Sequence, residues 1–146
     1  MRYFVWFGYD GTRYHGWQYQ PNGITVQEEL ERALSLLLRE DIHVTGAGRT
    51  DTGVHARQMA AHFDTEVDFD CVHMVKRLNG VLPYDIGVSK VEAVAADKHA
   101  RFSATARTYH YYIHYGKNPF CQQFSLQMHY QLDFGLMNQA AAILME

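Results

Sequence analysis

The first apolar segment of the chain has a two-residue period. Between Arg2 and Tyr9, nearly every position on both the odd and the even side is aromatic or Val. A two-residue period predicts a β-strand, because successive side chains of a strand point to opposite sides. Apolar side chains on both sides predict that this strand is buried on both faces.

Three later segments have the period of a helix. Thr25 and Glu28 form a capping box ahead of the first, and Asp70 and Asp133 stand where the second and third begin. The second helix is expected to end near Asn79-Gly80. The residues predicted to face the core are Val26, Leu30, Ala33, Leu34 and Leu37 in the first helix, Val72, Val75, Leu78 and Leu82 in the second, and Met137, Ala140, Ala141 and Leu144 in the third.

Short β-favouring segments separate the helices, and strands are predicted at 42–45, 57–64 and 86–94. The order β-α-β-β-α-β is that of the split βαβ unit of ferredoxin-like domains. The predicted fold class is therefore α+β, with an antiparallel sheet and the helices on one of its faces. Additional strands are predicted at 107–115 and 124–131.

Composition and charge exclude several classes of protein. The 146 residues are 47% hydrophobic and 20% charged, which is typical of a globular domain and not of a disordered chain. No apolar run is long enough for a membrane span. The formal charge of −3 excludes nucleic-acid binding through net positive charge, although nine of the 13 basic residues are Arg, which suits local contacts with phosphates and bases. Cys71 and Cys121 match no zinc or disulfide pattern, which predicts a reduced, cytoplasmic location.

The segment 46–56, GAGRTDTGVHA, is the richest in candidate chemistry. Its three glycines allow a ligand to approach the backbone closely. Arg49 and Asp51 are two residues apart, and in an extended segment such residues point the same way. We therefore expect an ion pair in which Arg49 keeps the Asp51 carboxylate ionised. The same composition also suits an ordinary surface turn in which Asp51 binds its own backbone.

Other chemistries fit this segment less well. It lacks the Gly-Lys-Ser/Thr ending of a phosphate-binding loop. Asp51-Thr52-Gly53 is the triplet of aspartic proteases, which need a second carboxylate that a homodimer would supply. Those proteases are almost wholly β, whereas three helices are predicted here. His110 and His114 share one face of a predicted strand without an acidic or thiolate partner, so no metal site is predicted.

Two further segments combine basic and aromatic side chains. The segment YDGTRYHGWQ, from Tyr9, suits a wall on which RNA bases stack, and it equally suits an aromatic loop that covers the core. The segment RFSATARTY, from Arg101, places Tyr109 on a predicted strand just after two basic residues. An ordinary strand with exposed arginines has the same pattern.

Taken together, these segments resemble the TruA family of tRNA pseudouridine synthases. The resemblance is carried by YDGTRYHGWQ from Tyr9, GAGRTDTGVHA from Gly46, LNGVLPYDI from Leu78 and HARFSATARTYHYYI from His99. These motifs occur in the family's order across nearly the whole chain, and the second is highly specific. Thr52 stands where Ala is common in the family, and Tyr84 lies at a variable place.

The resemblance implies an enzyme that isomerises uridine to pseudouridine in the anticodon stem-loop of tRNA. It also implies an α+β fold of two related halves, a homodimer, and no cofactor or metal. Asp51 is then the catalytic aspartate, Arg49 pairs with it and helps to hold the flipped-out nucleotide, and Tyr109 packs against the target base. The other residues expected to contact the substrate are Arg13, Tyr14, His15, Trp17, Gln18, His55, Arg101 and Arg107.

Members of this family continue well past the length of this chain. We therefore expect residues 1–130 to be an N-terminal α+β catalytic subdomain, and residues 131–146 to begin a helix that leads to a second half. On its own the fragment is expected to be inactive. The alternatives are a ferredoxin-like RNA-binding module without chemistry and a dimeric aspartic protease. The module needs stacking aromatics in an RNP pattern, which the aromatic segment Arg2–Tyr9 lacks.

Overall fold

Residues 1–145 are described by a computed structural model with six strands and three α-helices. In chain order these are β1 (Arg2–Tyr9), α1 (Val26–Leu38), β2 (Thr45–Gly46), β3 (Ala56–Asp64), α2 (Cys71–Val81), β4 (Ile86–Val94), β5 (Ile113–Tyr115), β6 (Leu126–Met128) and α3 (Phe134–Ile143). A short 3-10 helix, Gly11–Arg13, follows β1. The predicted α+β class is confirmed.

The strands β1 to β4 form one antiparallel sheet in the order β2-β3-β1-β4. This strand order, with a helix after β1 and another after β3, is the split βαβ arrangement that the sequence predicts. The cross-strand pairs that face the helices are Tyr3–Phe63, Val5–Ala61 and Phe7–Met59. The opposite side of β1, with Phe4 and Trp6, is only half-buried, so the prediction of burial on both faces is wrong. The buried side chains of α1 and α2 join the first face alone.

The first helix forms as its sequence predicts. The Thr25 hydroxyl accepts a hydrogen bond from the Glu28 backbone N–H at 3.3 Å, which satisfies one of the unpaired N–H groups of the first turn. The predicted apolar face is buried, with Leu37 partly buried at its edge. The helix ends at Arg39, whose φ of 59° is left-handed.

The second helix faces the core as predicted except at Val72: Leu78 and Leu82 are buried, and Val75 packs against the core. Asp70 caps its N-terminus as expected, but Met74 and Leu78 are its fully buried residues, and Val72 is 71% exposed. Met74 and Leu78 are four residues apart and therefore lie on one face. Val72 is two residues from Met74 and points to the other side, so its predicted place in the core is wrong.

The predicted strand at 42–45 is reduced to the two residues of β2. The side chains of α1 take the backbone hydrogen bonds that a strand partner would otherwise provide. Ser35 Oγ accepts from the Ile42 N–H at 2.9 Å, and Glu31 Oε1 accepts from the Val44 N–H at 2.9 Å. Ile42 and Val44 are buried all the same, so the segment packs on the core without pairing.

The described residues fall into two compact units, Met1–Arg107 and the residues from Thr108 onward. In the second unit β5 and β6 pair in parallel, and Asp133 caps α3 as predicted. The strand predicted at 107–115 forms only at its end, because 107–112 has no strand partner within residues 1–145. The strand predicted at 124–131 is likewise shorter. No residue of α3 is buried, so its predicted core face is wrong.

The subdomain predicted at 1–130 contains the whole first unit and part of the second, and its boundary stays a prediction. In the part of the chain that the structure describes, no helix is long and apolar enough to cross a membrane.

Candidate active site

The residues between β2 and β3, numbered 47–55, form a loop that we call the Asp51 loop. Asp51 and Arg49 are both exposed on it. The loop begins beside the sheet, where the Ala47 N–H donates to the Ala60 carbonyl at 2.8 Å. A turn follows Asp51, because the Val54 N–H donates to the Asp51 carbonyl at 3.1 Å.

A second loop, residues 10–23, fixes the backbone on both sides of Asp51; we call it the aromatic loop. The Trp17 N–H donates to the Thr50 carbonyl at 3.2 Å, and the Gly53 N–H donates to the Tyr14 carbonyl at 3.3 Å. The Thr50 hydroxyl also lies 2.8 Å from the Tyr9 hydroxyl. The residue before Asp51 and the second residue after it are thus both held, while the carboxylate itself faces outward.

Trp17 supports the Asp51 loop from beneath. Its ring stacks on Phe7 with 5.3 Å between centroids, and it is 3% exposed. A Cβ atom on Gly46 would lie 2.5 Å from Trp17 Nε1, so this position has room only for glycine. Tyr14 is also buried, at 2% exposure. Neither ring offers a face to RNA in this structure, so we assign both to support of the loop in place of the substrate contact expected of them.

The predicted ion pair between Arg49 and Asp51 is not formed. Within residues 1–145, no hydrogen bond or ion pair joins the two side chains, and both are exposed to solvent. The expectation assumed an extended segment, in which alternate residues share one side. In the structure, residues 49–51 belong to a loop and not to a strand. The Arg49 guanidinium is therefore available to a substrate.

His55 connects the far end of the Asp51 loop to the start of the aromatic loop. Its Nδ1 lies 3.0 Å from the Gly11 backbone nitrogen and 3.0 Å from Asp10 Oδ1. Asp10 also accepts from the Thr12 N–H at 3.0 Å, and hydrogen bonding with Thr12 lowers the pKa of Asp10 below its usual value. These contacts make His55 a positioning residue for the loop in this structure.

Arg107 holds the beginning of the Asp51 loop. Its Nε donates to the Ala47 carbonyl at 2.8 Å, and its Nη2 donates to the Arg101 carbonyl at 2.7 Å. Arg101 is exposed, with its guanidinium carbon 6.0 Å from the Phe102 ring centroid. Arg107 thus contacts the Asp51 loop and also the backbone of Arg101. Two of its nitrogens are occupied by backbone carbonyls.

Asp85 is a buried anchor that sequence reasoning did not assign. Its carboxylate accepts from Arg13 Nε at 2.7 Å and from the Tyr14 hydroxyl at 2.6 Å. Burial opposes ionisation of Asp85, but these two hydrogen bonds outweigh it and lower its pKa. Burial, together with the hydrogen bond to Asp85, raises the pKa of Tyr14. Asp85 lies within the segment LNGVLPYDI that carries part of the family resemblance, but by itself an Asp ahead of β4 ordinarily indicates a turn.

The remaining predicted residues are less closely tied to Asp51. His15 and Gln18 are exposed on the aromatic loop, and the His15 ring occupies the space where a Cβ on Gly23 would lie. Tyr109 is 64% exposed and belongs to the second unit. Its role beside the target base stays a prediction.

Gly16→Ala is expected to disturb the Asp51 loop. Gly16 has a φ of +81°, and a Cβ there would collide with the Thr50 carbonyl oxygen. We expect a loss of about 1–3 kcal/mol in the free energy of unfolding, because the left-handed backbone and the collision both oppose a side chain. Chemical denaturation measures it. Gly80→Ala is the matched control, since Gly80 lies in α2 with open space around it. Equal effects of the two substitutions would contradict this role of Gly16.

The folded state is expected to lose stability in acid. The pKa values of Asp10, Asp64, Asp85 and Glu92 are all lowered in the folded chain. A carboxyl group with a lowered folded-state pKa contributes stability above its unfolded pKa, and that contribution is lost as the pH falls through the folded value. The loss is therefore expected below the ordinary values of 4.5 for Glu92 and 3.8 for the three aspartates. Urea unfolding at a series of pH values measures it, and Asp85→Asn should flatten the dependence. A variant with an unchanged pH dependence would contradict the contribution of Asp85.

The site thus presents the Asp51 carboxylate to solvent on a backbone that is hydrogen-bonded on both sides of it. Arg49, two residues earlier, is also exposed. Within the described residues 1–145, no group of three or more His, Cys, Asp or Glu residues is close enough to hold a metal ion. Fold and site together define an α+β domain that presents an exposed carboxylate on an anchored loop.

Comparison with known proteins gives the family. A family model described as tRNA pseudouridine synthase matches residues 6–103. The chain is 54% identical over 146 residues to the tRNA pseudouridine synthase A of Bacteroides thetaiotaomicron, covering all of this chain and 54% of that protein. It is 56% identical over 145 residues to that of Bacteroides fragilis, covering 99% of this chain and 58% of that protein. It is 41% identical over 143 residues to the tRNA pseudouridine synthase A of Listeria innocua, covering 96% of this chain and 58% of that protein.

The chain therefore belongs to the tRNA pseudouridine synthase family, which confirms the resemblance inferred from its motifs. It spans a little more than half the length of these curated relatives. Membership in this family argues against the aspartic protease.

Proposed function

We propose that this chain carries the catalytic aspartate of a tRNA pseudouridine synthase, and that Asp51 is that residue. The observation that carries the proposal is the anchoring of the backbone at Thr50 and Gly53, on both sides of the exposed Asp51. A catalytic group must be held in position before the substrate arrives, because fixed orientation lowers the barrier to reaction. Membership in the family supplies the reaction.

The reaction breaks the bond between the ribose C1′ and the uracil N1, and then joins C1′ to the uracil C5. Asp51 acts on the ribose, either as a nucleophile at C1′ or as a base that removes the C2′ proton. Deuterium at C2′ separates the two routes, because it slows only the route that breaks the C2′–H bond. In both routes it is the carboxylate form of Asp51 that reacts.

The uridine must leave the helical stack for its ribose to reach a carboxylate. Arg49, with no ion-pair partner in residues 1–145, is suited to the phosphate of the displaced nucleotide, since a guanidinium binds phosphate through two N–H groups. We propose that Tyr109 packs against the displaced base. His15, Gln18 and Arg101 are exposed and are proposed as further RNA contacts.

The substrate is proposed to be the anticodon stem-loop of tRNA, and the working form a cytoplasmic homodimer. The longer relatives suggest that further polypeptide, equivalent to the rest of their length, completes the cleft. We propose residues 1–130 as the catalytic subdomain within that larger protein.

The proposal is tested on protein expressed from the complete reading frame that encodes this chain. Unmodified tRNA transcripts are incubated with it, and pseudouridine is mapped along the RNA. We expect new pseudouridine in the anticodon stem-loop and at no other position. A parallel transcript with cytidine in place of the modified uridines serves as the control. Binding of tRNA without any pseudouridine would instead favour the non-catalytic RNA-binding module.

Activity is expected to survive removal of metal ions from the protein. The chemistry proposed for Asp51 needs only a carboxylate and a held base, and residues 1–145 place no cluster of metal ligands together. The protein is treated with a chelator, dialysed, and assayed on tRNA refolded beforehand in its usual salt. Loss of activity that one added metal restores to the protein would contradict the proposed chemistry.

A further inference from the structure

Arg13 is held rigidly while two of its nitrogens stay available. Its Nε donates to the buried Asp85 carboxylate, and no residue among 1–145 accepts a hydrogen bond from its Nη1 or Nη2. The buried Tyr14 hydroxyl fixes the other oxygen of Asp85. An arginine fixed in this way loses little conformational entropy on binding, because its side chain is already ordered.

Tyr84 lies beside this guanidinium and is almost fully exposed. The Arg13 guanidinium carbon is 5.4 Å from the centre of the Tyr84 ring, and the ring is 90% exposed. An aromatic ring that solvent reaches so completely stabilises no core. One of its faces meets Arg13, which leaves the other available for stacking.

The carboxylates near Arg13 and Tyr84 are each paired with an arginine, which leaves the exposed side of the Arg13 guanidinium suited to an anion. Arg13, Tyr14, Ile24, Glu29 and Pro83 line a shallow pocket. Glu29 is the acidic group of that pocket, and Arg32 neutralises it with a hydrogen bond of 2.7 Å from Nη2. Asp85 is neutralised by Arg13 itself. The unused Arg13 nitrogens thus face no unpaired carboxylate within the pocket.

The backbone next to Arg13 contacts the Asp51 loop. Arg13 precedes Tyr14, whose carbonyl accepts the Gly53 N–H. Asp51, Arg13 and Tyr84 all belong to the first compact unit.

We propose that Arg13 and Tyr84 form a second RNA-binding site, which takes one unpaired nucleotide next to the target uridine. The guanidinium binds its phosphate through Nη1 and Nη2, and the open face of Tyr84 stacks on its base. Asp85 is the positioning residue that holds the guanidinium. The proposal rests on RNA being the substrate, and it adds the class of ligand that this surface recognises.

The test measures binding of an unmodified tRNA transcript, and of a fully paired RNA duplex of similar length, over a range of salt concentrations. Protein from the complete reading frame is used. Tyr84→Ala should weaken tRNA binding by about fivefold or more, because one stacked base is lost. It should leave duplex binding unchanged, since a paired base offers no free face. Tyr84→Phe keeps the ring and should bind tRNA as the wild type does.

Arg13→Gln should weaken tRNA binding and reduce the slope of log Kd against log salt by about one, because one phosphate contact is lost. Arg39→Gln is the matched control, since Arg39 is exposed at the opposite end of α1 and should leave the slope unchanged. A Tyr84→Ala variant that binds tRNA as the wild type does would overturn the proposal, and so would equal weakening on the duplex. Pseudouridine formation by the wild type is scored separately, so failure of the proposed activity is distinguished from failure of this site.

Discussion

Asp51→Asn is expected to abolish pseudouridine formation while tRNA binding persists. The amide has the shape of the carboxylate, so the loop anchored at Thr50 and Gly53 should keep its structure. It neither attacks carbon nor accepts a proton at neutral pH, and loss of such a group costs on the order of 10⁴-fold or more in kcat. Binding should be unchanged or tighter, because a negative charge facing RNA phosphates is removed. Single-turnover kinetics and a direct binding assay measure the two effects separately.

Asp97→Asn is the matched control for this substitution. Asp97 is also exposed, but it lies in the turn after β4 and makes no contact with the Asp51 loop. It should keep wild-type kcat and Kd. An Asp51→Asn protein that retains even about a tenth of the wild-type kcat would show that the reaction does not depend on this carboxylate.

Trp17→Ala is expected to cause the largest loss of stability. The indole is almost fully buried, stacks on Phe7 and fills the space beneath Gly46. Truncation of a buried Trp leaves a cavity and costs about 3–5 kcal/mol in the free energy of unfolding. Because the Trp17 backbone also holds Thr50, kcat should fall in the fraction that remains folded. Denaturant unfolding followed by far-UV circular dichroism measures the first effect.

Tyr19→Ala is the matched control, because it also removes an aromatic side chain from this loop, but an exposed one. Tyr19 lies two residues further along the same loop and is exposed, so its loss should change stability little. If Trp17→Ala were as mild as Tyr19→Ala, the indole would not be the support of the Asp51 loop.

The sheet and first helix could be predicted because their signals are local. β1 and β4 begin and end where the alternation of side chains predicts, and α1 begins after its capping Thr25. The failures depended on contacts between one element and another, which the pattern within a segment does not show. The segment 42–45 has a strand-like sequence, but Glu31 and Ser35 of α1 take its backbone hydrogen bonds.

The candidate site was predictable in its motif and not in its geometry. The glycine-rich segment pointed to Asp51 directly. The aromatic residues Tyr14 and Trp17 suit RNA stacking by composition, yet burial decides their role, and burial depends on the whole fold. The same holds for Asp85. Its role depends on hydrogen bonds from Arg13 and Tyr14, which are 72 and 71 residues away in sequence.

The most direct test of the central claim uses tRNA labelled with tritium at C5 of its uridines. Formation of the C1′–C5 bond replaces the hydrogen at C5, so each isomerised uridine releases its tritium to water. The protein from the complete reading frame is expected to release tritium from the anticodon stem-loop, and the Asp51→Asn protein to release none above background. Equal release by both proteins, or release by neither while tRNA is bound, would contradict the assignment of Asp51 as the catalytic residue of a tRNA pseudouridine synthase.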